Sequence, residues 1–187
     1  MYFTFARAET GEPQERDRMI GLTKEYFAWM DPEISRLCAM SISDIVGMDI
    51  NAYVDYTAAI VSRIQPEEGG LYFLRSPEGE IAAMGGLRRL PDGAAEIVRI
   101  YTRPPFRGHG CGSRMVNHLV AQAAALGYSV IKLDTGIFMS SAHRIYEAAG
   151  FVRCEPYAGA EPPEQLQPYW LYMQRPVGPV MLAVESQ

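Results

Sequence analysis

The sequence predicts an α/β (α+β) fold: a mixed, mostly antiparallel central sheet that contains one parallel βαβ unit and has helices on both faces. Strand-like segments joined by short turns of proline, glycine and acidic residues indicate an antiparallel meander, which covers residues 71–75, 80–90 and 95–102. A helical pattern of apolar residues over 112–126 and another strand-like segment at 130–133 follow. A crossover of this length joins parallel strands with a right-handed connection, so we expect the strands on either side of this helix to be parallel.

The segments on either side of this central part complete the prediction. Aromatic residues favour a first strand over residues 2–8, and apolar residues at helical spacing favour a helix over 13–30. The pair Asp31-Pro32 is expected to end that helix, because proline restricts the preceding residue and has no backbone donor. The remaining assignments are irregular chain at 33–51, a helix at 52–64, a loop rich in proline and glutamate at 157–168, and a last strand at 169–173.

Length and charge limit the functions that this chain can have. With 187 residues it is expected to form one domain, residues 1–187, with a C-terminal tail at 176–187. A net charge of −5 argues against nucleic acid or an anionic membrane surface as a partner, and no apolar run has the length of a membrane span. The tail is apolar at 180–184, which favours packing on its own domain or against a second copy, so a homodimer is an open alternative.

The cysteines and the first residues indicate the cellular setting. Cys38, Cys111 and Cys154 are an odd number without the spacing of metal ligands, so we expect no metal site and no disulfide framework. Residues 1–9 lack the apolar core of a signal peptide. We therefore expect a cytoplasmic protein.

The most informative motif is a glycine-rich run, Arg107-Gly108-His109-Gly110-Cys111-Gly112, which lies between a predicted strand and a predicted helix. Glycines at alternate positions let the backbone turn tightly, so that consecutive N–H groups and the positive end of the helix converge on one anion. Arg107 adds a fixed positive charge with several donors. The motif therefore predicts a phosphate-binding loop.

Two other kinds of phosphate loop fit this sequence less well. A Walker loop requires Gly-x-x-x-x-Gly-Lys-Ser/Thr, and both the lysine and the spacing are absent. A dinucleotide fingerprint requires glycines directly after a strand and a glycine at the sixth position, which is Ser113 here. Too few residues follow Asp134, the acid that this fingerprint would use, to build the rest of a doubly wound sheet.

The pattern Arg/Gln-x-x-Gly-x-Gly/Ala, formed by Arg107, Gly110 and Gly112, resembles the pyrophosphate loop of the GNAT superfamily of acyl-CoA-dependent N-acyltransferases. Residues 95–104 resemble the fourth strand that leads into this loop in the family. Residues 142–151 resemble the family's helix after the fifth strand, whose usual ending is Leu-Tyr-x-x-x-Gly-Phe. Two motifs in the family's order are a specific signal for the region 95–151.

The resemblance implies that acetyl-CoA is the co-substrate and that its acetyl group passes by direct attack to a primary amine of a small-molecule or amino-acid-like acceptor. It also implies that the pantetheine arm bonds the fourth strand and that the pyrophosphate lies on the loop. The residues concerned are Ile100, Tyr101, Thr102, Arg107, Gly108, His109, Gly110, Cys111, Gly112 and Ser113. Many relatives carry an asparagine at the position of Met139, so Ser140, Ser141 or backbone groups are candidate replacements for its bond to the arm.

Two residues match catalytic positions of the family. An ammonium group with a pKa of about 10.4 must lose a proton before it attacks. Glu96 lies where several relatives carry a general base, although a structural carboxylate paired with Arg99 or another base is an equally good interpretation. Tyr146 matches the tyrosine that would protonate the leaving thiolate, and its alternative is a core residue in a helical stripe. Asp134 fits a role in ordering the turn after its strand rather than one in catalysis.

Two other functions stay open at this point: a catalytically idle acyl-CoA-binding module, and a transferase that acts on a protein or peptide amine. The presence of both Glu96 and Tyr146 favours an enzyme. Acceptor selection is expected in the segments 27–51 and 157–170, which are rich in methionine and aromatic residues.

Overall fold

The computed structural model describes residues 2–178, which form a seven-stranded sheet and five α-helices. The strands are β1 (Thr4–Arg7), β2 (Gly70–Arg75), β3 (Ile81–Arg89), β4 (Ala95–Thr102), β5 (Val130–Gly136), β6 (Val152–Cys154) and β7 (Trp170–Pro176). The helices are α1 (Pro13–Cys38), α2 (Ile42–Val46), α3 (Ile50–Val61), α4 (Cys111–Ala125) and α5 (Ser140–Ala148). Short 3₁₀ turns precede α4, at Pro104–Phe106, and β7, at Glu164–Tyr169.

The predicted mixed sheet is confirmed. Its strand order is β1-β2-β3-β4-β5-β7-β6, and among the strand pairs of the described residues only β4 with β5 is parallel. Helix α4 makes the crossover between these two strands. After β5 the chain forms α5 and the short strand β6, which is the edge of the sheet. Strand β7 then lies between β5 and β6 and pairs antiparallel with both.

Helices cover both faces of the sheet because alternate strand residues are apolar on both sides. On one face, Met115 and Leu119 of α4 are fully buried against the sheet. On the other face, Met19 of α1 packs with Phe73 and Met84 of β2 and β3. Burying each of these side chains stabilises the fold by about 1.5–3 kcal/mol, so the two layers hold the sheet firmly between them.

The first helix is longer than its sequence suggests. Pro32 lies inside α1, so the prediction that Asp31-Pro32 ends the helix is wrong. Residues on both sides of the proline, Met30 and Ile34, are buried in one cluster with Phe27, and this burial outweighs the lost backbone bond.

The region predicted as irregular, residues 33–51, contains the end of α1 and the whole of α2. Helix α2 is only five residues long, too short for an apolar period to be visible. Its start is marked by a capping box in which Ser41 and Asp44 bond each other's backbone N–H groups. In addition, the Asp31 carboxylate accepts a bond of 2.7 Å from the backbone N–H of Ile42. The sequence feature that indicates α2 is therefore its capping box, Ser41 and Asp44, and not an apolar period.

Two irregularities of β4 shape the cleft: a bulge in its pairing with β3, and the early end of its pairing with β5. Met84 pairs with Tyr101 and Gly86 with Val98, so Arg99 and Ile100 of β4 lie opposite a single residue of β3. Arg99 has the left-handed backbone, with φ of +59°. The pairing of β4 with β5 ends at Ile97 and Leu133, and a cleft opens between the two strands beyond that point.

The C-terminal tail falls mostly outside the described residues. Within the described residues, Val177 of the tail is buried in the core, and its backbone N–H donates to the carbonyl of Ser129 at 2.8 Å. The apolar run 180–184 and its predicted packing lie beyond residue 178. None of the helices within residues 2–178 is long and apolar enough to cross a membrane.

Candidate active site

A cavity of about 620 Å³ occupies the cleft between the diverging strands β4 and β5. It extends from the glycine-rich loop at the start of α4 to α5 and to the middle of α1, which contributes Tyr26 and Trp29. It is lined by ten of the residues that the sequence singled out, namely Ile100, Tyr101, Thr102, Arg107, Gly108, Gly110, Cys111, Gly112, Ser113 and Tyr146. Two others, His109 and Glu96, do not line it.

The loop has the geometry that its glycines predict. Gly108 and Gly110 both adopt the left-handed conformation, with φ of +79° and +74°, and Gly110 is the N-cap of α4. No side chain in the described part of the chain caps the first turn of this helix, so its N–H groups stay available to a ligand. A 15-residue helix adds the positive end of its dipole at the same place. This end of the cavity can therefore bind an anion.

Arg107 extends this anion-binding end with a charged side chain. Its guanidinium lies over the rings of Trp29 and Tyr101, at 5.7 and 5.9 Å, and its Nε donates to the carbonyl of Thr102 at 3.1 Å. These contacts orient the group beside the loop. The His109 ring instead lies 3.0 Å from the carbonyl of Arg107 through Nδ1, on the exposed outside of the loop.

At the position where relatives carry asparagine, Met139 precedes α5 and lines the cavity. Its sulfur accepts a bond of 3.5 Å from the hydroxyl of Thr135. Ser140 and Ser141, the first residues of α5, also line the cavity and can offer their hydroxyls to a bound arm.

Tyr146 lies on α5 and its ring packs edge-on against Phe151, with centroids 6.1 Å apart. It is both buried and part of the cavity wall. Burial and the nearby negative charge of Asp134 raise the pKa of its hydroxyl. The hydroxyl therefore keeps its proton at neutral pH and is available as a donor.

Glu96 is fully buried and lines neither of the two cavities described here. Its Oε2 accepts a bond of 2.6 Å from Arg88 on β3, and its Oε1 accepts one of 2.8 Å from the hydroxyl of Tyr157. Burial raises the pKa of the carboxyl to about 7, although the Arg88 charge and the Tyr157 bond act in the opposite direction. Of the two interpretations from the sequence, this geometry favours the structural carboxylate, with Arg88 rather than Arg99 as its partner.

Asp134, for which the sequence predicts no catalytic role, lines the cavity. Its carboxylate accepts a bond of 2.8 Å from Nε1 of Trp170 and one of 3.4 Å from the backbone N–H of Glu161. Burial, together with the negative charges of Glu161 and Glu96, raises the pKa of this carboxyl to about 7. A carboxyl with a pKa near neutrality can accept a proton from an amine.

Register was the signal that could have identified Asp134. Glu96 pairs with Lys132, and alternate residues of a strand share a face, so Asp134 lies on the same face as Glu96. It is the first residue of that face beyond the end of the β4–β5 pairing, which places it in the cleft.

A second, smaller cavity of about 60 Å³ adjoins the first. Both cavities are lined by Arg99, Asp134, Glu161 and Trp170. The remaining lining is largely apolar and comes mostly from the segments 27–51 and 157–170, in which the sequence predicted acceptor selection; Tyr26, which also lines both cavities, and Tyr53 lie just outside these segments. Within residues 2–178, no group of three or more His, Cys, Asp or Glu side chains is arranged to hold a metal ion.

The family assignment follows from comparison with known sequences. A model of the acetyltransferase (GNAT) family matches residues 49–151, which is more than half of the chain. The chain belongs to this family. The uncharacterized N-acetyltransferase YsnE of Bacillus subtilis is 29% identical over 134 residues, which cover 64% of this chain and 89% of that protein. The IAA acetyltransferase of Azospirillum brasilense is 28% identical over 85 residues, covering 46% of this chain and 53% of that protein.

Solved structures of GNAT proteins share the fold. An acetyltransferase of the GNAT family from Staphylococcus aureus matches with a TM-score of 0.67 at 12% identity, over 95% of this chain and 100% of that one. A phosphinothricin acetyltransferase from Sinorhizobium meliloti, determined in complex with AcCoA, matches with a TM-score of 0.61 at 15% identity, over 95% and 90%. At these identities the likeness concerns the fold.

Proposed function

We propose that this GNAT protein binds acetyl-CoA in the large cavity and transfers the acetyl group directly to a primary amine of a small-molecule acceptor. The observation that carries the proposal is the cleft between β4 and β5, which joins an anion-binding loop at one end to Tyr146 and Asp134 at the other. The Sinorhizobium protein of the same fold was determined with AcCoA, which supports the choice of co-substrate.

The parts of the cavity suggest how the co-substrate lies in it. The pyrophosphate accepts bonds from the N–H groups of the loop and from Arg107. The pantetheine arm follows the unpaired edge of β4 from Ile100 to Thr102 and bonds its backbone in the manner of an added strand. The thioester then lies near Tyr146 and Asp134, where the two strands are still close.

The transfer needs one base and one acid. The acceptor ammonium gives a proton to Asp134, and the free amine attacks the thioester carbonyl carbon. As the new C–N bond forms, the C–S bond breaks, and the thiolate of coenzyme A takes a proton from the hydroxyl of Tyr146. The second proton of the attacking nitrogen then leaves the new amide and restores the hydroxyl of Tyr146, and Asp134 releases its proton to solvent. We assign the role of base to Asp134 rather than to Glu96, because Asp134 lines the cavity whereas the Glu96 oxygens are bonded to Arg88 and Tyr157.

The activity itself is tested by release of coenzyme A thiol from acetyl-CoA in the presence of amines, polyamines, amino acids and peptides, with mass spectrometry of the products. We expect thiol release that depends on an amine and matches the amount of acetylated product. Tight binding of acetyl-CoA without acetylation of any amine would instead support an idle binding module.

The phosphate loop is tested by calorimetric titration of acetyl-CoA into two variants. Gly110→Val forces a β-branched residue into the left-handed conformation and displaces the N–H groups of the loop, so we expect affinity to fall below detection. Arg107→Ala removes one charge-assisted contact, worth about 1.5–3 kcal/mol, and is expected to weaken binding by about ten- to a hundredfold.

The matched control for Gly110→Val is Gly79→Val. Gly79 also has positive φ, at +85°, with open space around it, but it lies in the turn between β2 and β3 away from the cavity. Both variants are expected to lose stability to a similar extent, whereas only Gly110→Val loses acetyl-CoA. Unchanged affinity in Gly110→Val would remove the loop from the proposed site.

A further inference from the structure

Arg99 is the most unusual charged residue of the described chain. Its side chain is only 7% exposed, and its backbone has a left-handed φ of +59°, a conformation that disfavours an L-residue by about 1–2 kcal/mol. Its guanidinium lies over the ring of Phe27 at 5.1 Å. Its Nε is buried and, among residues 2–178, has no hydrogen-bond partner. A buried donor without a partner costs about 1–3 kcal/mol, so Arg99 combines two unfavourable features.

The neighbours of Arg99 do not neutralise it fully. The nearest carboxylate oxygen is Oε1 of Glu161, at 3.4 Å from the guanidinium, which is long for a charge-assisted bond. Glu161 belongs to the loop between β6 and β7 and is exposed. Glu96, the fully buried carboxylate on the same strand, is bonded to Arg88 instead. A second carboxylate that reached Arg99 from the cavity would satisfy the free donor.

The position of Arg99 relates this free donor to the acceptor. Arg99 lines both cavities, as does Asp134, the proposed base. Glu161 contacts both of them, since its backbone N–H bonds Asp134 and its carboxylate approaches Arg99. The Arg99 guanidinium and the Asp134 carboxyl are therefore separated by little more than the length of Glu161, which contacts both. A positive and a negative group at this separation suit a small molecule whose carboxylate and ammonium are close together.

The smaller cavity adds a third feature. Beyond Arg99 it is lined by apolar side chains that include Phe27, Met30 and Leu166. Its volume of about 60 Å³ accommodates about four water-sized groups, which corresponds to a short aliphatic side chain.

We propose that the acceptor is an α-amino acid with an aliphatic side chain, whose carboxylate binds Arg99, whose amine faces Asp134 and whose side chain enters the smaller cavity. This inference rests on the proposed function and specifies its substrate class. The planar guanidinium can bind a carboxylate through two parallel N–H groups, and the Nε without a partner is one of them. The loop at Arg107 takes the phosphates at the other end of the large cavity, so the two arginines have separate ligands.

The test compares acceptors with and without a carboxylate. Thiol release is measured with valine, leucine and methionine, each paired with its amide, and with the peptide Leu-Gly-Gly, whose carboxylate is distant from its amine. We expect kcat/KM for each acid to exceed that for its amide by about ten- to a hundredfold, the value of one charge-assisted contact. The peptide should behave like the amides.

Two variants attribute this preference to Arg99. Arg99→Gln removes the charge and Arg99→Lys keeps it, and both have an unbranched Cβ, so they bear a similar backbone strain. We expect the acid-to-amide ratio to fall towards one in Arg99→Gln, mainly through KM of the acid, and to recover in part in Arg99→Lys. The intrinsic reactivity of each amine is the same for every variant and cancels from the comparison. The Kd of acetyl-CoA should change little in either variant.

The outcomes separate this inference from the proposed function. Equal turnover of acids and amides by the wild-type protein, or a preference that survives in Arg99→Gln, would overturn the assignment of Arg99 and leave the acetyltransferase in place. Absence of thiol release with every amine would overturn the proposed function. In that case calorimetry of leucine and leucinamide with the CoA-saturated protein still tests Arg99, because selective binding of leucine supports its role and equal or absent binding refutes it.

Discussion

Replacing Asp134 with asparagine is expected to lower kcat by about 10²- to 10⁴-fold, the usual contribution of a general base, while acetyl-CoA binding is retained. Asparagine keeps the shape of the side chain and an oxygen for Nε1 of Trp170, but it cannot accept a proton. The measurement is thiol release at saturating acetyl-CoA. In the wild-type protein, kcat/KM should rise as the pH increases through about 7, where Asp134 becomes ionised, and the variant should lack this step.

The same substitution is expected to increase thermal stability above neutral pH. Burial raises the pKa of Asp134 to about 7, well above the value of an unfolded chain, so the folded protein binds more protons than the unfolded chain between these two values. The stability of the wild-type protein therefore decreases as the pH rises through this window. The asparagine side chain does not titrate and avoids that loss, so the melting temperature of Asp134→Asn should exceed that of the wild type at pH 8.

Glu96→Gln is the matched control for the role of base. Glu96 is a buried carboxyl whose pKa is also raised to about 7, but it does not line the cavity and its oxygens are bonded to Arg88 and Tyr157. We expect this variant to keep most of its turnover and a step in its pH profile, with the step moved to lower pH because the negative charge of Glu96 helps to raise the pKa of Asp134. Loss of turnover in Glu96→Gln with retention in Asp134→Asn would assign the base to Glu96, as the family resemblance implies.

Tyr146→Phe is expected to lower kcat by about 10²- to 10⁴-fold, because the departing thiolate loses its proton donor. The ring still packs against Phe151, so the fold and the Kd of acetyl-CoA should be nearly unchanged. Single-turnover kinetics with acetyl-CoA in the active site measures the chemical step separately from product release. Full turnover in this variant, under conditions where chemistry limits the rate, would exclude Tyr146 as the acid.

The control for Tyr146→Phe is Tyr128→Phe. Tyr128 is a buried tyrosine of the same core cluster, and its hydroxyl donates to the carbonyl of Glu68 at 2.8 Å, outside the cavity. Loss of this hydroxyl and its hydrogen bond should reduce the free energy of unfolding by about 1 kcal/mol and leave kcat unchanged. The two variants together distinguish the loss of a hydroxyl in the core from the loss of a hydroxyl in the site.

The properties of the two carboxyls, Glu96 and Asp134, depend on residues far from them in the sequence. Glu96 is a candidate base in the sequence because it lies where several relatives carry a general base, but the partner that binds it, Arg88, lies on the neighbouring strand. Asp134 was visible in the sequence as the acid after a strand, yet its surroundings come from Trp170 and Glu161, far along the chain. A pKa near 7 for either carboxyl depends on burial by distant segments, which no local pattern reports.

What could be read from the chain alone is what short-range chemistry specifies. Glycines that permit positive φ, the start of an amphipathic helix and the alternation of strand residues each involve only near neighbours, and they predicted the phosphate loop, α4 and the mixed sheet. The tertiary structure decided the continuation of α1 through Pro32, the bulge at Arg99 and the position of Glu161 between Arg99 and Asp134. These features depend on burial and on contacts between distant segments, such as Arg99 with Glu161, whose separation is 62 residues. Their energies arise only in the folded core, because desolvation and packing act there on groups that are far apart in the sequence.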